Sequence, residues 1–180
     1  EQMAKLLVRA LQLPATDIDY FSDDDGSPYE EAINAIAALG ITNGCGPQRY
    51  CPQETVSRAE VAAFLSRSLR LPDAATDHFV DDAASSFPEE VNALAEAGLT
   101  HGCGVGLYCP DAAVSRSQAA SFIARAMELA ERSPAVADAL LSLQTFWENP
   151  TIAAIRASSR KLTRLLRRGL VGAPCGKPPL

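Results

Sequence analysis

The sequence predicts an all-α domain made by repetition: a pseudo-threefold repeat with a central three-helix bundle, short peripheral helices and loops, and a C-terminal helical extension. Three observations predict it. Residues 42–60 return as residues 100–118, 58 positions later and without a gap, so that Gly44, Cys45, Tyr50, Cys51 and Arg58 become Gly102, Cys103, Tyr108, Cys109 and Arg116. Ser57-Arg-Ala-Glu60 and Ser115-Arg-Ser-Gln118 both have the form of a capping box, a helix start in which two residues cap each other. Between the turns, apolar residues recur at the three-to-four spacing of an amphipathic helix.

The elements follow in order. Residues 1–13 read as a helix with Met3, Leu6, Leu7, Ala10 and Leu11 on one face, ended by Pro14. A shift of 58 lays this helix on residues 60–71, with Leu6 on Phe64, Leu7 on Leu65 and Arg9 on Arg67. The chain is therefore expected to open inside the last helix of an earlier copy, as a fragment or mature segment. Residues 1–14 end a first copy, residues 15–72 form a second, and residues 73–130 form a third. Ser27-Pro-Tyr-Glu30 reads as a capping box opening a short helix that carries Ile33, Ile36 and Leu39 and stops at Gly40. Its partner runs from Ser86-Phe-Pro-Glu89 to Gly98. The helices after Ser57 and Ser115 extend to about Leu71 and Ala130. They carry Val61, Phe64, Leu65 and Leu69 in one, and Ala119, Phe122, Ile123 and Met127 in the other. Three long helices of one type can bury these faces only against each other or against the short helices.

Residues 131–180 do not follow the repeat. A helix over 134–148 is broken by Asn149-Pro150, and 151–168 is a basic helix with Arg156, Arg160, Lys161, Arg164, Arg167 and Arg168. This extension is a candidate contact for protein partners or an anionic surface, or it packs on the domain and shows its arginines to water. The end, rich in Gly and Pro, is expected to be disordered. Charge divides the same way. Residues 1–130 hold 8 Lys/Arg against 19 Asp/Glu, while residues 131–180 hold 8 against 3. The acidic body argues against nucleic acid as a partner. No run of 18 apolar residues provides a transmembrane segment.

Five cysteines are present, four of them in the two repeated pairs. Pairing Cys45 with Cys51 and Cys103 with Cys109 lets each copy close its own short loop, which glycine and proline allow to turn tightly. Zinc is the rival, but a five-residue gap lies outside its usual ligand spacing; free thiols are the third alternative. Disulfides would imply an oxidising, extracytoplasmic setting. Asp23-Asp24-Asp25-Gly26 invites a calcium reading, but the EF-hand frame puts Phe21 and Ala32 at ligand positions, so a solvated turn is the expectation.

Taken together, Phe21-x-Asp23 and Phe79-x-Asp81, a short helix ending in Gly-Ile or Gly-Leu, the Gly-rich turn, Tyr-Cys-Pro and Ser-Arg-Ala-Glu resemble the S-layer homology repeat. The resemblance covers roughly residues 1–130, and the cysteine pairs look like a variant found among actinobacterial members. It implies a three-repeat, three-pronged helical domain that anchors exported proteins to cell-wall polysaccharide, often pyruvylated, at the surface of a Gram-positive bacterium. By motif position, Arg58 and Arg116 are the implied readers of an anionic sugar substituent. An arginine gives bidentate hydrogen bonds to a carboxylate, and a helix N-terminus adds partial positive charge. Asp23 and Asp81 accept from sugar hydroxyls or cap their own turn. Tyr50 and Tyr108 stack on sugar or pack within the loop. The family's tryptophan on the short helix is replaced by Tyr29 and Phe87, and its glutamate by Gln118 in the last copy.

No catalytic constellation is present. Gly-x-Ser-x-Gly, His-Glu-x-x-His and phosphate-loop patterns are missing, and Glu30/Glu31 and Glu89/Glu90 point to different helix faces. The reading assigns no catalytic residue, no cofactor and no metal. It gives a non-catalytic anchoring module with glycan in grooves between copies. Two alternatives remain: a structural or protein-interaction repeat without glycan binding, or the anchor of a secreted hydrolase.

Overall fold

The computed structural model describes residues 1–146. The basic helix expected over 151–168, the Gly/Pro-rich end and Cys175 lie outside the described residues. Six helices carry the fold: α1 (Gln2–Ala10), α2 (Glu30–Ala38), α3 (Arg58–Leu69), α4 (Pro88–Glu96), α5 (Arg116–Arg132) and α6 (Pro134–Gln144). Extended pairing among the described residues is limited to isolated bridges. The domain is all-α. None of the described helices is long and apolar enough to cross a membrane.

Local chemistry explains most boundaries. Ser57 and Ser115 accept from Glu60 N and Gln118 N, while Glu60 and Gln118 reach back to the cap nitrogens, so both boxes close. The short helices start differently. Tyr29 and Phe87 stand at their N-caps without a side-chain cap. The Ser27 hydroxyl accepts from Tyr29 N instead, and Ser85, not Ser86, does the same for Phe87 N. The expected Ser27 box therefore fails: a serine bonding two residues ahead closes a turn before the helix rather than capping it. Gly40 and Gly98 end these helices at φ 69° and 71°. Ile41 N and Leu99 N reach back to Ile36 O and Leu94 O in the Schellman pattern. Two of the repeat's long helices, α1 and α3, end alike without glycine: Gln12 and Arg70 take the left-handed conformation, and Leu13 and Leu71 bond back to Val8 O and Ser66 O.

The core is continuous. Leu7, Ile33, Ile36, Ile41, Val61, Leu65, Leu69, Val91, Leu94 and Leu99 are all essentially closed to solvent. Each such side chain contributes about 1.5–3 kcal/mol on burial. Phe64 is only partly buried, while Leu6 and Met127 are exposed. Packing pairs α1 with α2, α3 with α4, and α5 with both α1 and α3. Between α1 and α3 there is no close backbone approach. Instead α6 lies on α3 and α5 through Val136, Leu140 and Leu143, and Gln144 Nε2 donates to Leu11 O at the end of α1 (2.9 Å). Glu1–Gln144 forms one compact unit.

Candidate functional site

The cysteine turn is built in the same way twice. Cys45–Cys51 and Cys103–Cys109 are disulfides, each with Cα atoms 6.0 Å apart. Cys51 and Cys109 both sit at φ 58°, and an aspartate holds each of them there. Asp23 accepts Tyr50 N (2.7 Å) and Cys51 N (2.9 Å); Asp81 accepts Tyr108 N (2.7 Å) and Cys109 N (2.8 Å). Burial opposes the Asp23 charge, but these two N–H groups and Arg49 outweigh it and hold the carboxyl below the usual range. For Asp81 the Tyr108 N–H is the largest influence, with Cys109 N–H and Arg58 adding to it. Each aspartate is therefore a clamp on its own turn, with both carboxylate oxygens already engaged. Opposite them, Gly44 and Gly102 have positive φ, and an added Cβ would collide with Arg49 O or Leu107 O. Phe21 and Phe79 tilt against Tyr50 and Tyr108 at 5.5 and 5.3 Å.

The third copy's turn is then driven into the second copy's helix. Arg58 N and Ala59 N, the first donors of α3, are given to Ala112 O and Pro110 O at 2.9 and 3.0 Å. Arg58 Nε donates to Tyr108 O (2.8 Å), and the Tyr108 hydroxyl donates to Arg58 O (2.8 Å). The guanidinium lies 4.7 Å from the Tyr108 ring centroid and 5.6 Å from that of Phe122, while Nη2 is buried without a hydrogen-bond partner. Arg58 is 6% exposed and Tyr108 is completely buried, its phenol pushed up to about 12 by burial. The expectation that these two residues meet a ligand is corrected accordingly. They form the seam between copies, because the free N–H donors of the helix start meet carbonyls of the 110–112 turn, while the Tyr108 hydroxyl meets Arg58 O.

Arg116 takes the other course. It occupies the same motif position but is exposed, and its Nη1 donates to Gln2 Oε1 on α1 (2.8 Å). No following turn covers the start of α5 among the described residues. Arg116 forms one wall of a groove of about 470 Å³. Lys5, Leu6 and Arg9 of α1, Tyr29, and the chain from Pro52 to Val56 line it too, and Glu1 and Glu54 are its two acidic residues. Three of the eight basic residues of 1–130 thus face one groove on an otherwise acidic body. The equivalent groove one copy along is smaller, about 110 Å³, and there Arg67 and Phe87 stand where Arg9 and Tyr29 stand in the first. Arg67 is committed: it pairs with Glu90 at 2.7 Å, donates to Ile41 O and lies over Phe87. Tyr50, half-buried, lines this smaller groove.

The profile of the S-layer homology domain family matches residues 20–62 and 79–120, the two stretches that carry these turns and helix starts. These are S-layer homology repeats. The repeat is a non-catalytic cell-wall anchoring module, and it places the chain at the bacterial cell surface. A cell surface protein of Thermoanaerobacter kivui is 29% identical over 127 residues, covering 66% of this chain and 16% of that protein. A surface-layer 125 kDa protein of Lysinibacillus sphaericus is 28% identical over 101 residues, covering 56% and 9%. An endoglucanase of a Bacillus species (strain KSM-635) is 29% identical over 104 residues, covering 58% and 11%. The chain therefore spans less than a fifth of the length of these relatives.

Within the S-layer homology frame, the sequence reading names Arg116 as a candidate, and the structure brings Lys5 and Arg9, which it does not name as candidates, to the same groove. A signal for Arg9 was present, since the 58-residue shift lays it on Arg67. Lys5 falls on Ala63 under the same shift and has no counterpart to mark it. Tyr29, at the family's tryptophan position, lies with its ring 5.3 Å from Lys5 Nζ.

Proposed function

We propose that this chain attaches its protein to an anionic cell-wall polysaccharide of a Gram-positive bacterium through the groove between α1, the 52–56 segment and the start of α5. The observation that carries this reading is the convergence of Arg116, Lys5 and Arg9 on one open groove of a domain whose net charge is strongly negative. Arg116 supplies a planar pair of donors to a carboxylate such as that of a pyruvate ketal, and the α5 N-terminus adds partial positive charge behind it. Lys5 and Arg9 supply charge along the sugar chain, and the Tyr29 ring offers a face for it. The volume lies in the range of small-ligand sites.

A pull-down of the oxidised protein on isolated sacculi, before and after acid removal of secondary wall polymers, tests this. Binding is expected to vanish with the polymer, and Arg116→Ala is expected to weaken it about ten-fold or more. Parent-like binding by Arg116→Ala would sink the site assignment. Failure of the parent to bind either preparation would favour a structural or protein-interaction repeat. The similarity to an endoglucanase favours one extension of the proposal, in which the repeats anchor a hydrolase. Glycanase activity in the full-length polypeptide would decide that.

A further inference from the structure

The turn before α2 is largely solvated, as its sequence suggests, but one of its aspartates is not. Asp24 is only 1% exposed, and neither of its carboxylate oxygens has a hydrogen-bond partner. Asp19, Asp24 and Asp25 each bring a carboxylate oxygen within 4.8 Å of the others. Gly26, at φ 75°, turns the chain here; Gly26 N is held by Glu30 Oε2 and Ser27 N by Asp24 O, both at 2.9 Å. Burial is the largest influence on the Asp24 carboxyl; its own backbone N–H opposes it, and the charges of Asp19, Glu30 and Asp23 add to it, so that the group is pushed up to about 6. None of the charges acting on it is positive. A carboxylate withdrawn from water with no side-chain donor and no counter-ion is a costly arrangement for a protein to hold.

The third copy provides an internal control. Its equivalent, Asp82, is just as buried but accepts from Asn92 Nδ2 at 2.8 Å. Asn34 is the counterpart of Asn92; its Oδ1 accepts Tyr20 N as Asn92 Oδ1 accepts His78 N, yet Asp24 receives no bond. Asp25 is replaced by Ala83, so only two of the three carboxylates persist. One copy satisfies its buried aspartate with an amide. The other surrounds it with carboxylates.

We propose that Asp19, Asp24 and Asp25 form a site for a hard divalent cation of the calcium class, present in the second copy and lost from the third. The donor set is all oxygen, which calcium accepts in flexible six- to eight-fold coordination, with backbone oxygens and water completing the shell. Thiophilic metals are disfavoured by the same donors. The cation compensates the buried Asp24 charge and fixes the segment that carries Phe21 and Asp23, and so steadies the Tyr50–Cys51 turn that Asp23 clamps. The site is independent of glycan binding in the groove.

Isothermal titration of the EDTA-treated, dialysed full chain with CaCl2 at neutral pH, together with thermal melts with and without CaCl2, tests this. One saturable site per chain is expected, with an affinity of about 10⁻⁴–10⁻³ M, as in extracellular calcium modules. Asp25→Ala, which installs the third copy's residue at an exposed position, is expected to weaken binding at least ten-fold, and Asp24→Asn to abolish it. Asp73→Ala, elsewhere on the acidic surface, is expected to bind like the parent. Absence of saturable heat in the parent overturns the proposal. So does parent-like calcium binding, or a parent-like calcium-induced rise in Tm, in Asp25→Ala; such a rise would reflect general screening of an acidic protein. Because Asp25→Ala decides the matter alone, a folding failure of Asp24→Asn leaves the test intact.

Discussion

Arg58 and Arg116 occupy the same position of the same motif, 58 residues apart, and meet opposite fates. Arg58 is sealed beneath Tyr108 and Phe122, and its helix start is closed by carbonyls of residues 110 and 112. Arg116 stands in an open groove and bonds Gln2. The difference comes from what packs on top of each helix start. Covered by the next cysteine turn, the arginine becomes part of the cohesion between copies; uncovered, it faces solvent. A shared motif therefore fixes position along the chain without fixing accessibility.

Substitutions can break or sharpen this contrast. The largest effect is expected from Arg58→Ala, which empties a buried volume and strands Tyr108 O. A loss of about 3 kcal/mol is expected, or a fall in Tm of about 6–12 °C in a chain of this size; a melt unchanged within a degree would contradict the seam. Next come the disulfides. Replacing either cysteine pair by serine removes about 2 kcal/mol of loop-closure stabilisation. The Cys103/Cys109 pair is expected to cost more than Cys45/Cys51, because the third copy's turn takes two backbone donors of α3 and the Arg58 side chain, whereas the second copy's turn meets the start of α1 through the Glu1 amine, which donates to Pro52 O at 3.3 Å. Equal shifts in the two melts would mean that the wedge is independent of the bridge.

Asp81→Asn is smaller, about 1 kcal/mol, since the amide keeps one acceptor for the Tyr108 and Cys109 N–H groups. Its pH dependence has a definite sign. The Asp81 carboxyl is depressed below its ordinary value of 3.8, so its contribution is complete above about pH 4. It is lost as pH falls through the folded value. The stability gap between parent and Asp81→Asn should be widest near neutrality and should narrow in acid; a gap that grows on acidification would refute the clamp. Smallest in stability is Arg116→Ala, expected within about 0.5 kcal/mol of the parent, although on the proposed reading it carries the largest loss of wall binding.

Much of this was legible in the sequence because it is local. The Ser57 and Ser115 boxes, the Gly40 and Gly98 stops and the Leu-Pro helix ends depend on neighbours a few residues away. The cysteine pairing is equally local, with each bridge closing one turn. The seam is not local: Arg58 and Tyr108 are 50 residues apart, and no pattern within one copy says that the next copy will land on it. Asp24 eluded the reading for a related reason. A run of three aspartates looks solvated until the turn at Gly26 faces one of them inward. Ser27 shows the opposite failure, in which a correct local signature lost to a shorter bond within the same turn.

The closed seam between Tyr108 and α3 also bears on valency. Each turn that completes its predecessor's helix removes one arginine from the outer surface. On the proposed reading, the number of wall contacts in a tandem array is set by its uncovered helix starts and not by the number of motifs in its sequence. Lengthening such an array would toughen the tether while leaving its grip nearly constant.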